Sequence, residues 1–433
     1  MAGAVQVDIT PPPNVVSTWG YGGPNSKPVA RGALDPLYAH ILYMKVQNGT
    51  AFAWVDLDCG RTPGIPTQNQ IRQHVINVVP HVAFSATHTH SGPYFLDDYP
   101  DAVLPGWEEE MMHRIEKGIG DAAKRAEAVQ LKFTYGSAVI GYNRRLVHPD
   151  GSVTMLAGID GNRDSSANGP IDPTFAVLRI DAENGEPIAI IVNATAHPVI
   201  RKEREMFSAD YPGVVRNIVE NGFPSHPVCL FLQGAAGDIN PQRPLHMKTE
   251  EDGVEQLGRF LGEKALAAAR TAPPCDGTVS PTIEVLEDTV ISDARWPNAD
   301  FSKVFAAYKG YVDHMAPHSV LPLIAILLNH QIGWVSFPGE LFVQLQTYFR
   351  AHSPLRDVLF AGYSNGYFGY FPTIEAAATG GYGANNIMAA VPPGTGEALV
   401  NRALIDLDRL LGRLRNTPAL PSGQSYNSTW ISH

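Results

Sequence analysis

Apolar runs and amphipathic patterns alternate along this chain. Residues 5–9, 39–46 and 51–57 are short apolar stretches with turn residues between them, the pattern of strands. Residues 67–79 read as a helix and 81–86 as a buried strand. Residues 107–128 carry a strong helical pattern that opens on Glu108, Glu109 and Glu110 and closes on Lys124 and Arg125, the polarity a helix macrodipole favours. Further strands are expected at 131–140, 175–180, 188–193, 228–232 and 322–328, and further helices at 213–220, 251–270, 340–352 and 396–414. The most apolar stretch, 319–337, is interrupted by Asn329, His330 and Gln331, so it reads as two buried strands and not as a membrane span.

This alternation predicts an α/β (or α+β) fold: a layered domain with a large mixed β-sheet core flanked by helices and with long active-site loops. The domain is expected to span 1–415, followed by a Ser-, Pro- and Asn-rich tail at 416–433. No internal repeat, heptad run or low-complexity linker is visible. The long loops are 11–31, 91–106, 143–173 and 364–393, and loops of this length in a compact domain are usually functional.

Composition narrows the classes. The 433 residues are 44% hydrophobic, enough to bury a large core, and 40 glycines with 35 prolines suit an enzyme with long ordered loops. A net charge of -11 argues against nucleic acid, because phosphate binding needs a basic face. Cys59, Cys229 and Cys275 form no disulfide framework and no CxxC metal signature, so they read as inert thiols. Residues 1–8 lack a basic segment followed by an apolar run, so no signal peptide and a cytoplasmic location are expected.

Four segments could carry chemistry. An apolar strand ends in Thr87-His88-Thr89-His90 and is cut off by Ser91-Gly92-Pro93. In an extended chain residues two apart share a face, so His88 and His90 are expected to point the same way. A metal, or a ligand beside a base, accounts for that placement; a solvated turn is the alternative. His197 closes a second apolar run before Pro198 and is either a ligand or a histidine bonded inside the core. Glu340 follows the Pro338-Gly339 turn at an expected helix start, where it either caps the helix or supplies a carboxylate. Histidine plus carboxylate suits a catalytic zinc, which keeps one position open for water. The fourth segment, rich in Tyr and Gly from Gly362 to Gly383, reads as a loop of lid aromatics.

The order of these pieces resembles the neutral/alkaline, non-lysosomal ceramidases. The matching strings are Ala30-Arg31-Gly32 with Leu37-Tyr38, Thr87-His88-Thr89-His90-Ser91-Gly92-Pro93, Asn143-Arg144, His197-Pro198-Val199, Gly237-Asp238, Pro338-Gly339-Glu340, and Tyr370 followed by Tyr382. The resemblance implies that His88, His197, Glu340 and Tyr370 bind Zn2+, that His90 is the general acid/base, and that Arg144 and Tyr382 hold the substrate carbonyl oxygen. It also implies that Asp210 orients a ligand. Two departures stand out. The family's Gly-Asp-Val-Ser-Pro segment is Gly237-Asp238-Ile239-Asn240-Pro241 here, so Asn240 replaces a serine. The chain is expected to be too short for the immunoglobulin-like C-terminal domain that ceramidases carry.

The function expected from this reading is zinc-dependent hydrolysis of the amide carbon–nitrogen bond of an N-acyl substrate. An esterase or lactonase using the same centre is the alternative within enzymes. A non-catalytic ligand-binding homologue is disfavoured because every matched position is filled, and a structural zinc protein would want four closed ligands, usually cysteines. Aromatics in the long loops, Trp19, Tyr21, Tyr94, Phe95, Tyr99, Tyr367, Phe368, Tyr370 and Phe371, are expected to wall the pocket. Asp97, Asp98, Asp101 and Asp160 in the same loops would disfavour anionic head groups. The expected partner is therefore a soluble small-molecule N-acyl amide or ester, smaller than ceramide, with no nucleic acid and no integral membrane segment.

Overall fold

A computed structural model describes residues 1–20, 28–47, 49–97, 106–156, 169–201, 205–242, 248–275, 277, 280–296 and 318–414. The chain builds one topological unit three times. The first unit has strands Ala2–Asp8, Tyr38–Lys45 and Ala51–Leu57, helix Ile65–Val75, strand His81–Ala86 and helix Gly106–Lys124. The second has strands Val129–Ser137, Thr174–Ala182 and Pro187–Ala194, helix Asp210–Asn221, strand Val228–Gln233 and helix Glu250–Thr271. The third has strands Ile283–Asp293, His318–Leu328 and Ile332–Ser336, helix Val343–His352, strand Asp357–Ala361 and, after several short elements, helix Thr395–Leu410.

Among the described residues each unit is a four-stranded sheet with its strands in chain order. The first three strands run antiparallel, and the fourth returns through a helix to lie parallel to the third. The expected α/β architecture is present. The single large mixed sheet is realised as three mixed sheets, and the sequence without a repeat folds into a repeated topology.

The three sheets share one core. Phe52 and Trp54 from the first, Leu178, Ile191 and Leu230 from the second, and Ile326, Trp334 and Leu359 from the third meet in a single buried cluster. There Trp54 and Trp334 stack with ring centroids 4.0 Å apart. Truncating either tryptophan would cost about 3–5 kcal/mol. The opposite face of each sheet is buried under its own helices, so residues 51, 53, 55 and 57 of one strand lie in a different cluster from 52 and 54. A strand buried on both faces has no reason to alternate, which is why these strands read as unbroken apolar runs.

Several boundaries move. The helix expected at 67–79 spans Ile65–Val75, with a proline in its first turn, a position where the missing N–H costs nothing. The stretch 319–337 does form two strands, turned by left-handed backbone at Asn329 and His330. Glu340 does not start a helix. It lies in the two-residue strand Glu340–Leu341, paired in parallel with Tyr370–Phe371, and the helix begins at Val343. The tail at 416–433 lies outside the described residues. No helix among the described residues is long and apolar enough to cross a membrane.

Candidate metal centre

The third and fourth strands of each unit are parallel, so their carboxyl ends open on the same side, where α/β sheets usually place ligands. The candidate metal ligands and His90 follow such ends, whereas Arg144 follows the first strand of the second unit. Gly60, His88 and His90 follow Leu57 and Ala86 in the first unit, and His197 and Gly237 follow Ala194 and Gln233 in the second. Glu340, Tyr363, Tyr367 and Tyr370 follow Ser336 and Ala361 in the third.

These loops bring the imidazoles together. His90 Nε2 lies 3.3 Å from His88 Nε2. The ligand atoms of His88, His90 and His197 all fall within 4.8 Å of one another and could hold a metal ion. The meeting of His88 and His90 does not come from strand alternation. The strand ends at Ala86, and His88 itself has a left-handed backbone with φ of 67°. A hydrogen bond from His90 N to Pro198 O (3.2 Å) ties this loop to the one carrying His197.

The tautomers follow from the neighbours. His88 Nδ1 lies 2.5 Å from Gly60 O, and His197 Nδ1 lies 2.6 Å from Ala236 O. A carbonyl only accepts, so each Nδ1 carries a proton. Both Nε2 atoms face Glu340 Oε2, at 3.6 Å from His88 and 3.0 Å from His197. The other carboxylate oxygen, Oε1, accepts a hydrogen bond from the Tyr367 hydroxyl. Burial, with the Arg144 charge, pushes the His197 pKa down to about 4 against the pull of Glu340, so its imidazole is neutral near pH 7. Burial alone would raise the Glu340 carboxyl, but its neighbours, His88 first, hold it well below the usual carboxylate range. The His197 lone pair and the Glu340 carboxylate thus meet in a dry pocket beside His88, an arrangement that a shared cation would satisfy. His88, His197 and Glu340 are fully or almost fully buried, while His90 is the more solvent-accessible histidine of the group.

Arg144 and the tyrosines adjoin this cluster. The Glu340–Tyr370 pairing sets these side chains beside each other on neighbouring short strands. The Tyr370 hydroxyl accepts from Arg144 Nη2 at 3.0 Å. Burial and the Glu340 charge raise the Tyr370 phenol well above its ordinary pKa, with Arg144 pulling the other way. The Tyr382 ring packs edge-on to Tyr370 with centroids 5.5 Å apart, and Arg144 Cζ lies 5.1 Å from the Tyr382 ring. Burial opposes the Arg144 charge, but Tyr370, Glu340 and Tyr382 outweigh it and hold the guanidinium above its ordinary pKa. Tyr382 is 41% exposed, which puts it at the rim.

The segment from Ala236 to Asn240 organises these parts. Its carbonyls accept from His197 Nδ1 and N and from Arg144 Nη2. Asn240 Oδ1 accepts from Arg144 Nη1 at 3.3 Å, so the residue replacing the family's serine steadies the guanidinium. Asp238 accepts from Asn143 Nδ2 and from Val343 N, both at 2.8 Å, joining the Arg144 loop to the helix after Glu340. Gly237 runs so close to the Glu340 strand that a Cβ would stand 2.4 Å from Glu340 O. Asp210 makes no hydrogen bond to His197. Its carboxylate accepts from Arg201 N and Tyr211 N, and it fixes the histidine loop from its far end.

Sequence reasoning missed the bond from Tyr367 to Glu340, the bracing by Asp238, and Tyr363, whose ring stacks on His88 at 4.1 Å. The Gly237-Asp238 string was the available signal for Asp238. The expected pocket walls divide: Trp19, Tyr367 and Tyr370 lie at the site, whereas Phe95 packs in the core cluster of the first unit, and Phe368 and Phe371 in that of the third. Asp97 is no free anion, because it pairs with Arg61 at 3.1 Å and accepts from Gly64 N. Tyr21, Asp98, Tyr99, Asp101 and Asp160 lie outside the described residues. Trp19 does line the site, its ring 5.0 Å from those of both His88 and His90.

No protein-family model matches the chain, and no curated protein matches it in sequence. Solved structures do match. Neutral ceramidase from Pseudomonas aeruginosa superposes with a TM-score of 0.77 at 20% identity, over 97% of this chain and 76% of that one. A ceramidase complexed with C2 superposes with a TM-score of 0.74 at 19% identity, over the same 97% and 76%. The chain has the fold of the neutral ceramidases.

Proposed function

We propose that this protein is a zinc-dependent hydrolase that cleaves the amide carbon–nitrogen bond of an N-acyl substrate by metal-activated water. One observation carries the reading: the Nε2 lone pair of the neutral His197 faces Glu340 Oε2 at 3.0 Å, with His88 Nε2 3.6 Å from the same oxygen. His88, His197, Glu340 and Tyr370 would hold the ion. Bound there, zinc would acidify a water and polarise the scissile carbonyl. The likeness of fold to neutral ceramidase supports the amide as the bond attacked.

The chain's own residues supply the rest. His90 reaches both the buried histidines and solvent, so it is placed to take a proton from the attacking water and deliver it to the leaving amine. Arg144, fixed by Gly237 O, Asn240 and Tyr370, presents a permanent positive charge where the carbonyl oxygen becomes anionic. Tyr382 at the rim would complete that contact. The test is metal analysis paired with a screen of short- and long-chain N-acyl amides against matched esters. Zinc-dependent release of the amine supports the reading; cleavage of esters alone would overturn it.

A further inference from the structure

Arg145 follows Arg144 but serves a different loop. Its guanidinium is buried, and among the described residues no carboxylate pairs with it. Instead Nη1 donates to Tyr382 O at 3.4 Å, and Nη2 donates to Ala376 O at 3.4 Å and to Thr379 Oγ1 at 3.1 Å. Cζ lies 5.4 Å from the Phe342 ring, two residues beyond Glu340. Asp238 attracts the charge from beyond ion-pair distance, so the guanidinium depends on its hydrogen bonds to offset the desolvation. Here all the hydrogen bonds of the guanidinium go to residues 376–382.

That stretch needs holding. Gly380, Gly381 and Gly383 have left-handed φ of 78°, 93° and 75°, so the backbone on both sides of Tyr382 has little stiffness of its own. The Tyr382 side chain is partly exposed and touches the site through the Tyr370 ring and Arg144. Its placement therefore depends on its main chain, which Arg145 grips at one point and Asn385 at another, accepting from Gly381 N at 3.0 Å. Arg145 also sits at the carboxyl end of the short helix Ile374–Thr379, where a cation is favoured.

We propose that Arg145 is a positioning residue that acts through Tyr382, clamping the glycine loop so that the Tyr382 phenol stays over Tyr370 and Arg144. This rests on the functional reading that Tyr382 helps hold the carbonyl oxygen. The reach of the fork matters, so lysine does not replace it.

Arg145→Lys and the milder Thr379→Val are compared with the unmodified protein in two measurements. The first needs no substrate: amide hydrogen exchange over 380–385. Both variants are expected to speed exchange there, about tenfold or more for Arg145→Lys, with the three central strands unchanged. The second is turnover of a C6 N-acylsphingosine. Arg145→Lys is expected to lower kcat by roughly ten- to a hundredfold with little change in KM, and to add nothing in a Tyr382→Phe background. Unchanged exchange in both variants overturns the proposal. So does a full additive loss in the double variant, which would leave the role of Tyr382 standing. Tyr382→Phe turning over normally overturns that role, and the positioning role with it. No turnover of any amide by the unmodified protein is a failure of the functional reading and appears before any variant is made.

Discussion

His197 Nε2 and Glu340 Oε2 stand 3.0 Å apart, and neither carries a hydrogen to donate to the other. The proton of His197 is committed to main-chain carbonyls at its other nitrogen. The carboxylate is ionised, held well below the usual carboxylate range chiefly by His88. Two acceptors in this contact repel unless something positive lies between or beside them.

Zinc is the expected solution. Purified protein should contain one zinc per chain, and a chelator should abolish activity and lower the melting temperature. Restoring zinc at a hundredfold excess over its Kd should return about 2.7 kcal/mol of stability. Elemental analysis that finds no transition metal, with chelators leaving activity untouched, would sink the assignment.

The two neighbouring histidines should separate by role. His90→Ala is expected to keep the metal and lose on the order of a hundred- to ten-thousandfold in turnover, the usual consequence of removing a general acid/base. His88→Ala should lose metal affinity as well. If His90→Ala emptied the site, His90 would be a ligand and the two roles would exchange.

Tyr367 should matter to the metal before it matters to the chemistry. Its hydroxyl occupies Glu340 Oε1 and leaves Oε2 to the histidines. Tyr367→Phe is therefore expected to weaken zinc binding about ten- to a hundredfold, read by competition with a chelating dye. An unchanged affinity would mean that packing alone orients the carboxylate.

Asn240 should be dispensable for bond breaking. A neutral amide is a poor nucleophile, and here its oxygen accepts from Arg144 while its nitrogen lies 3.3 Å from Leu156 O. Asn240→Ala is expected to cost about tenfold or less in kcat, since Gly237 O and Tyr370 still hold the guanidinium. Loss of all turnover with zinc and fold intact would contradict attack by water.

Local pattern made the strands and the chemical residues readable, because buried strands are apolar and imidazoles at strand ends are conspicuous. His88, His90, His197 and Glu340 do converge, as the motifs suggest. The reasons were partly different. His88 reaches the cluster through a left-handed residue, and Glu340 through a two-residue strand paired across 30 positions with Tyr370, and neither feature has a local signature. The threefold repetition of the sheets was invisible because any apolar sequence of the right length satisfies each strand. The aromatic loops misled for a related reason: Phe95 and Phe371 look like pocket walls until the helices that cover them are in place.

The pH dependence of stability offers a last test, away from the metal. Asp56 is completely buried on the third strand of the first unit. It accepts from Ser85 Oγ at 2.7 Å and Phe231 N at 2.9 Å, and Ser85 in turn accepts from Trp54 Nε1. Burial pushes its carboxyl up to about 8, with Arg216 opposing. An unfolded aspartate titrates near 3.9, so between pH ~4 and ~8 the folded state binds the extra proton. Its contribution is therefore greatest below pH ~4 and is lost as pH rises toward 8. Each pH unit over which only the folded state keeps the proton is worth at most about 1.4 kcal/mol. Asp56→Asn removes the titration while keeping the shape. The unmodified protein should lose stability more steeply than the variant as pH rises from about 5 to 8, measured by urea unfolding at fixed temperature. Parallel curves would show that Asp56 stays ionised in the core, held by Ser85, Phe231 and the charge of Arg216.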